Sequence, residues 1–207
     1  MLATAKLYAI LDLGYVQPED AARTTAGLLS GGAHLLQLRA KGRDRETILS
    51  VARELIPLCR AAGVPFILND YPDLAAELDA DGVHIGQDDG PLATARAIVG
   101  EGKLIGRSTH SLEQAEAALA EGFDYIGFGP LFPTPTKQGR PGIGMENIAE
   151  MEKRVGSRIP AFCIGGIKRS NLPEVIAAGA RRVVIVSDLL TATDVAEATR
   201  EVVARLS

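Results

Sequence analysis

A short apolar run followed by an amphipathic helical stretch recurs along this chain, and that repetition limits the folds open to it. The apolar runs fall at 6–11, 34–39, 65–70, 82–86, 104–108, 125–129, 161–166 and 182–187. They are short, often β-branched and bounded by Gly, Asp or Asn, as strands buried on both faces of a parallel sheet are. Between them, Pro18 opens a first helix, where its missing N–H costs nothing. A second helix spans about 44–60, and a fifth starts after Ser111, a plausible N-cap, with Leu112, Ala115, Ala118 and Leu119 on one face. A seventh follows Ser170, and an eighth covers about 193–206. Gly63, Gly122 and Gly179 stand where they can end one helix before the next strand.

Eight strand–helix units in 207 residues predict a single α/β domain over 1–207, a (β/α)8 TIM barrel. A doubly wound open sheet is the alternative. It would gather polar residues at one switch point. Here they follow most of the strands, and a barrel collects all its strand ends around one mouth.

Composition narrows the partners. The hydrophobic fraction of 46% and charged fraction of 23% fit a soluble globular protein. The net charge of -4 leaves no general basic field for a nucleic-acid backbone. No apolar run approaches the roughly 20 residues that cross a membrane, and the first six residues are too mixed for a secretion signal. A cytoplasmic protein is expected. Cys59 and Cys163 share no metal-type spacing and read as free thiols, Cys163 as a small buried hydrophobe.

The second strand carries the clearest chemistry. In the run from His34 to Lys41, alternation turns Leu36 and Leu38 toward the helices and Leu35, Gln37 and Arg39 toward the lumen, with Lys41 just past the end. The cations form either a surface salt bridge or a clamp for phosphate. The third strand ends in Asn69-Asp70 and the fourth is followed by Gly86-Gln87-Asp88-Asp89. Mg²⁺ takes one or two carboxylates together with phosphate oxygens and water. Asp70 and Asp89 suit it, with Asp88 an alternative, although each could also be a turn residue.

The fifth strand ends in Ser108-Thr109-His110. His110 is either a functional residue on a loop or part of the next helix's first turn. His34 and His84 read as structural. The sixth strand runs into Gly129-Pro130-Leu131-Phe132-Pro133-Thr134-Pro135-Thr136-Lys137, a proline-stiffened stretch with two hydroxyls and an ammonium. Gly165 and Gly166 after the seventh strand and Val186 and Ser187 after the eighth fall where this fold binds phosphate with backbone N–H groups. The sequence thus asks for two anion sites, one of cations and metal, the other of amides.

The strings Gln37-Leu38-Arg39-Ala40-Lys41, Asn69-Asp70, Gly86-Gln87-Asp88-Asp89, Pro133-Thr134-Pro135-Thr136-Lys137 and Gly165-Gly166-Ile167 together resemble the thiamine phosphate synthase family over essentially the whole chain. The resemblance implies that 4-amino-2-methyl-5-pyrimidinylmethyl diphosphate is joined to a thiazole ethyl phosphate, or its carboxylate, with loss of diphosphate. It implies Gln37 and Asn69 on the pyrimidine, and Arg39, Lys41, Ser108 and Lys137 on the diphosphate. It implies Mg²⁺ on Asp70 and Asp89. Thr134, Thr136, Gly165, Gly166, Val186 and Ser187 would hold the thiazole phosphate. No general base is needed, because the attacking nitrogen carries no proton. A homodimer is common in the family. Tyr71 and Asp188 depart from its pattern, and Asp188 would repel phosphate if it faced the mouth. A related thiazole tautomerase, using His110, and a non-catalytic phosphate-binding barrel are the other readings.

Overall fold

The computed structural model describes residues 2–133 and 142–206. Eight parallel strands, β1 Leu7–Asp12, β2 Leu35–Arg39, β3 Phe66–Asn69, β4 Gly82–Ile85, β5 Leu104–Thr109, β6 Tyr125–Phe128, β7 Ala161–Cys163 and β8 Val183–Ile185, form a closed barrel in sequence order. Closure is made by β8 pairing with β1, Val183 opposite Leu7. This is the predicted TIM barrel; the open sheet is excluded because no strand is left at an edge.

Helices cover the outside: α1 Ala21–Ser30, α2 Arg45–Ala62, α3 Pro72–Glu77, α4 Leu92–Val99, α5 Leu112–Glu121, α6 Ile148–Met151, α7 Leu172–Ala177, α8 Ser187–Leu190 and α9 Val195–Leu206. Local signals set their ends. Asp44 caps α2 by accepting from Thr47 N–H at 2.8 Å, and Gly63 closes it in the left-handed region at φ 67°. Ser111 caps α5 by accepting from Gln114 N–H at 3.3 Å. Two expectations need correction. Pro18 opens a 3-10 turn, Pro18–Asp20, rather than α1 itself. The expected eighth strand is shorter, because Val186 turns the chain at φ -112°, ψ -88° into α8, an extra short helix before α9.

Alternation along the strands divides the core in two. Leu36, Leu38, Phe66, Leu68, Val83 and Ile126 face outward into the layer beneath the helices. Tyr8, Ile10, Leu35, Ile67, Tyr125, Phe162 and Val184 fill the lumen. The inward position Gly106 carries no side chain, and the space that its Cβ would take is used by Tyr125 and His84. His34 is structural as expected, at the start of β2, with its Nδ1 3.4 Å from Leu7 N–H. Both cysteines are buried free thiols; burial pushes Cys59 up to about 12 and Cys163 higher still, so neither is nucleophilic.

Candidate active site

Because all strands run the same way, their C-terminal ends form one rim. The cavity inside it is lined by Gln37, Arg39, Asn69, Ser108, His110, Gly165, Gly166, Val186 and Ser187 among the expected residues, together with Tyr8, His84, Ile164 and Val184. Lys41, Asp70 and Asp89 do not line it. They follow β2, β3 and β4 at the same end. Thr134, Thr136 and Lys137 lie outside the described residues.

Arg39 makes a salt bridge, but a largely buried one and not one at the surface. It lines the cavity, and its Nη1 donates to Asp12 Oδ2 at 2.6 Å. Asp12 is 3% exposed in its side chain and also accepts from Gly14 N–H at 2.8 Å. Register explains the pair, since Asp12 stands directly opposite Arg39. Sequence reasoning missed Asp12 because the first strand reads as one apolar run. The period-two count applied to the second strand would have placed Tyr8, Ile10 and Asp12 on the inner face.

The acidic rim is built by turns. Asp70 follows β3 in the left-handed region, φ 70°, a strained conformation for a residue with a side chain, and its N–H donates to His84 O at 2.9 Å. Its Oδ2 lies 3.2 Å from Lys41 Nζ. Asp89 folds back so that Oδ2 accepts from Gly86 N–H at 2.6 Å. Arg107 steadies this turn by donating to Gly90 O at 2.7 Å and Gln87 O at 3.2 Å. Gln87 Nε2 ties it to Ser108 O at 2.6 Å. Among the described residues no three His, Cys, Asp or Glu side chains come together as a metal cage. Asp70 and Asp89 follow neighbouring strands, and two such carboxylates are the kind of donors Mg²⁺ takes alongside phosphate oxygens.

The opposite wall is made of backbone. Gly165 and Gly166 have φ of 97° and 68°. A Cβ on Gly165 would collide with Pro130, and one on Gly166 would fall 2.6 Å from Phe132 Cβ. Glycine is thus required first by the packing of this loop on the one after β6. Leu131 N–H donates to Ile164 O at 2.8 Å and Phe132 N–H to Gly165 O at 3.1 Å, sealing the two loops together.

Asp188 does not repel anions as an unpaired charge. Its Oδ2 accepts from Arg169 N–H at 3.0 Å and from Arg169 Nε at 2.9 Å, which ties α8 to the loop after β7. Tyr71 is half-buried against the core at the start of α3. His110 lies just before the N-cap of α5, outside the helix: its N–H donates to Gln114 Oε1 at 2.7 Å, and it lines the cavity with its Nδ1 on Gly129 O.

Comparison with known proteins agrees with this geometry. A family model described as thiamine monophosphate synthase matches residues 7–189. A thiamine-phosphate synthase of Thermosynechococcus vestitus is 42% identical over 207 residues, but this chain spans only 57% of that protein's length. One from Thermus thermophilus is 45% identical over 183 residues, covering 88% of this chain and 87% of its own. The solved thiamine phosphate pyrophosphorylase from Pyrococcus furiosus superposes with a TM-score of 0.86 at 34% identity, over 98% of this chain and 95% of that one. Matched along most of its length by model, sequence and fold, the chain belongs to the thiamine monophosphate synthase family.

Proposed function

We propose that residues 1–207 act as one catalytic domain that joins 4-amino-2-methyl-5-pyrimidinylmethyl diphosphate to a thiazole ethyl phosphate, or its carboxylate, releasing diphosphate and giving thiamine phosphate. The observation that carries this reading is that two unlike walls face each other across one cavity. Gln37, Arg39, Asn69 and Ser108 line one side, and Gly165, Gly166, Val186 and Ser187 the other. The first suits a heterocycle with a diphosphate, the second a monophosphate held by amides.

On this reading, Gln37 and Asn69 orient the pyrimidine through its amino group and ring nitrogen. Arg39, oriented by Asp12, and Ser108 bind the diphosphate, Lys41 meets it at the rim, and Lys137 is assigned to it by the family resemblance alone. Asp70 and Asp89 would hold Mg²⁺, which when bound offsets the charge that grows on the leaving diphosphate. The opposite wall positions the thiazole phosphate so that the ring nitrogen meets the methylene carbon, a task the family resemblance also gives to Thr134 and Thr136.

The test is incubation of the pure protein with the pyrimidine diphosphate, the thiazole phosphate and Mg²⁺. Diphosphate and thiamine phosphate should appear together and both should vanish on adding chelator. Absence of thiamine phosphate with both substrates and metal saturating would overturn the reading, as would isomerisation of the thiazole without diphosphate release.

A further inference from the structure

A line of hydrogen bonds crosses the floor of the cavity from β2 to β5. Gln37 Nε2 donates to Tyr8 OH at 2.6 Å. Tyr8 OH is 3.1 Å from Tyr125 OH, and Tyr125 OH is 3.3 Å from His84 Nδ1. His84 Nε2 is 3.0 Å from Ser108 Oγ. Burial pushes both phenols well above their ordinary range, so each keeps its one proton. The Gln37 end of the line favours one direction. Tyr8 accepts from Gln37, and the partner these bonds offer its own proton is Tyr125. The Tyr125 proton goes on to Nδ1. A neutral imidazole accepting at Nδ1 carries its proton at Nε2 and donates to Ser108. The Ser108 proton is then directed to the cavity that residue lines.

We propose that His84 is a positioning residue whose Nε2–H tautomer, set by a one-way relay from Gln37 through Tyr8 and Tyr125, makes Ser108 a hydrogen-bond donor to an anion in the cavity. That the anion is the departing diphosphate rests on the synthase reading; the tautomer does not. The lumen is shaped for the relay. Gly106 stands opposite both His84 and Tyr125 in register, and a Cβ there would overlap the Tyr125 ring and fall 2.6 Å from His84 Nδ1.

The chain has three histidines, so nitrogen-15 NMR of the neutral imidazoles can resolve them, with His84→Gln giving the assignment. His84 should be the Nε2–H tautomer in the unliganded protein. Gln37→Glu replaces the only donor at the head of the relay with an acceptor, and His84 should switch to Nδ1–H. Tyr125→Phe removes the donor to Nδ1 and should give a mixture. An Nδ1–H tautomer in the native protein, or an unchanged Nε2–H tautomer in the two variants, would overturn the relay. In the assay above, His84→Leu should lower kcat about tenfold with a smaller change in KM for the pyrimidine diphosphate. Combined with Ser108→Ala it should cost no more than Ser108→Ala alone, since His84 acts through that hydroxyl; multiplying costs would count against it. Tautomers as expected in a protein that makes no thiamine phosphate would sink the synthase reading and leave the relay standing.

Discussion

Asp12 and Arg39 illustrate how a single residue pair converts strand register into site geometry. An acceptor beside the guanidinium fixes where a cation meets a ligand, and its loss takes that anchor from a largely buried Arg39. Asp12→Ala is expected to destabilise the protein by about 3 kcal/mol in urea unfolding, as removal of one member of a largely buried pair does; a loss under about 0.5 kcal/mol would mean that solvent screens it. Asp89→Ala should cut turnover at least about tenfold with the circular dichroism spectrum unchanged, and near-native turnover would count against a metal role.

Another residue lies away from the site. Glu152 is buried, and among the described residues its Oε2 has no hydrogen-bond partner while Oε1 accepts from Arg181 N–H at 3.3 Å. Burial raises its carboxyl above the ordinary range, with Arg181 and Arg182 opposing. A carboxyl raised on folding favours the native state while protonated, and that contribution is lost as pH rises through the raised value. Glu152→Gln should therefore raise the melting temperature at neutral pH, with the gain shrinking as pH falls through that range. A gain independent of pH would mean that ionisation is not its cause.

At the scale of elements, the second strand was legible because its polar residues interrupt an apolar alternation at regular spacing. Its neighbour was not, since Tyr8 sits in a run that reads as uniform core and Asp12 falls just past the end expected for it. The loop glycines were legible as backbone approaching something, but sequence could not say that the something is Pro130 and Phe132. Helix α8 was invisible, because a turn at Val186 depends on the loop after β7, through Arg169 and Asp188, and not on local propensity. Gly106 was likewise unreadable until His84 and Tyr125 were seen flanking it. Gly106→Ala is expected to cost about 1–3 kcal/mol by overpacking and to disturb the His84 imidazole signals; a variant of native stability would mean that β5 can shift outward freely.

For the whole molecule, the spread of polar residues over most strand ends was sufficient to favour closure over an open sheet, and closure is what brings β3 and β7 to opposite walls of one cavity. What sequence could not supply was depth: Lys41, Asp70 and Asp89 share the rim without lining the cavity. A metal there should engage through the ligand. Diphosphate with Mg²⁺ should raise the melting temperature progressively with concentration, as mass action requires. Diphosphate or Mg²⁺ alone should do so far less, and equal shifts from the metal alone would contradict shared binding.

The lumen also gives the molecule a built-in optical reporter. The chain has no tryptophan and four tyrosines. Two of these, Tyr8 and Tyr125, stand with ring centres 5.7 Å apart and planes at 77° beneath the site. Near-ultraviolet dichroism and phenol fluorescence therefore come in large part from the ground on which a ligand would rest. Occupancy and unfolding can both be followed in the unlabelled protein, by light that the floor of the barrel absorbs.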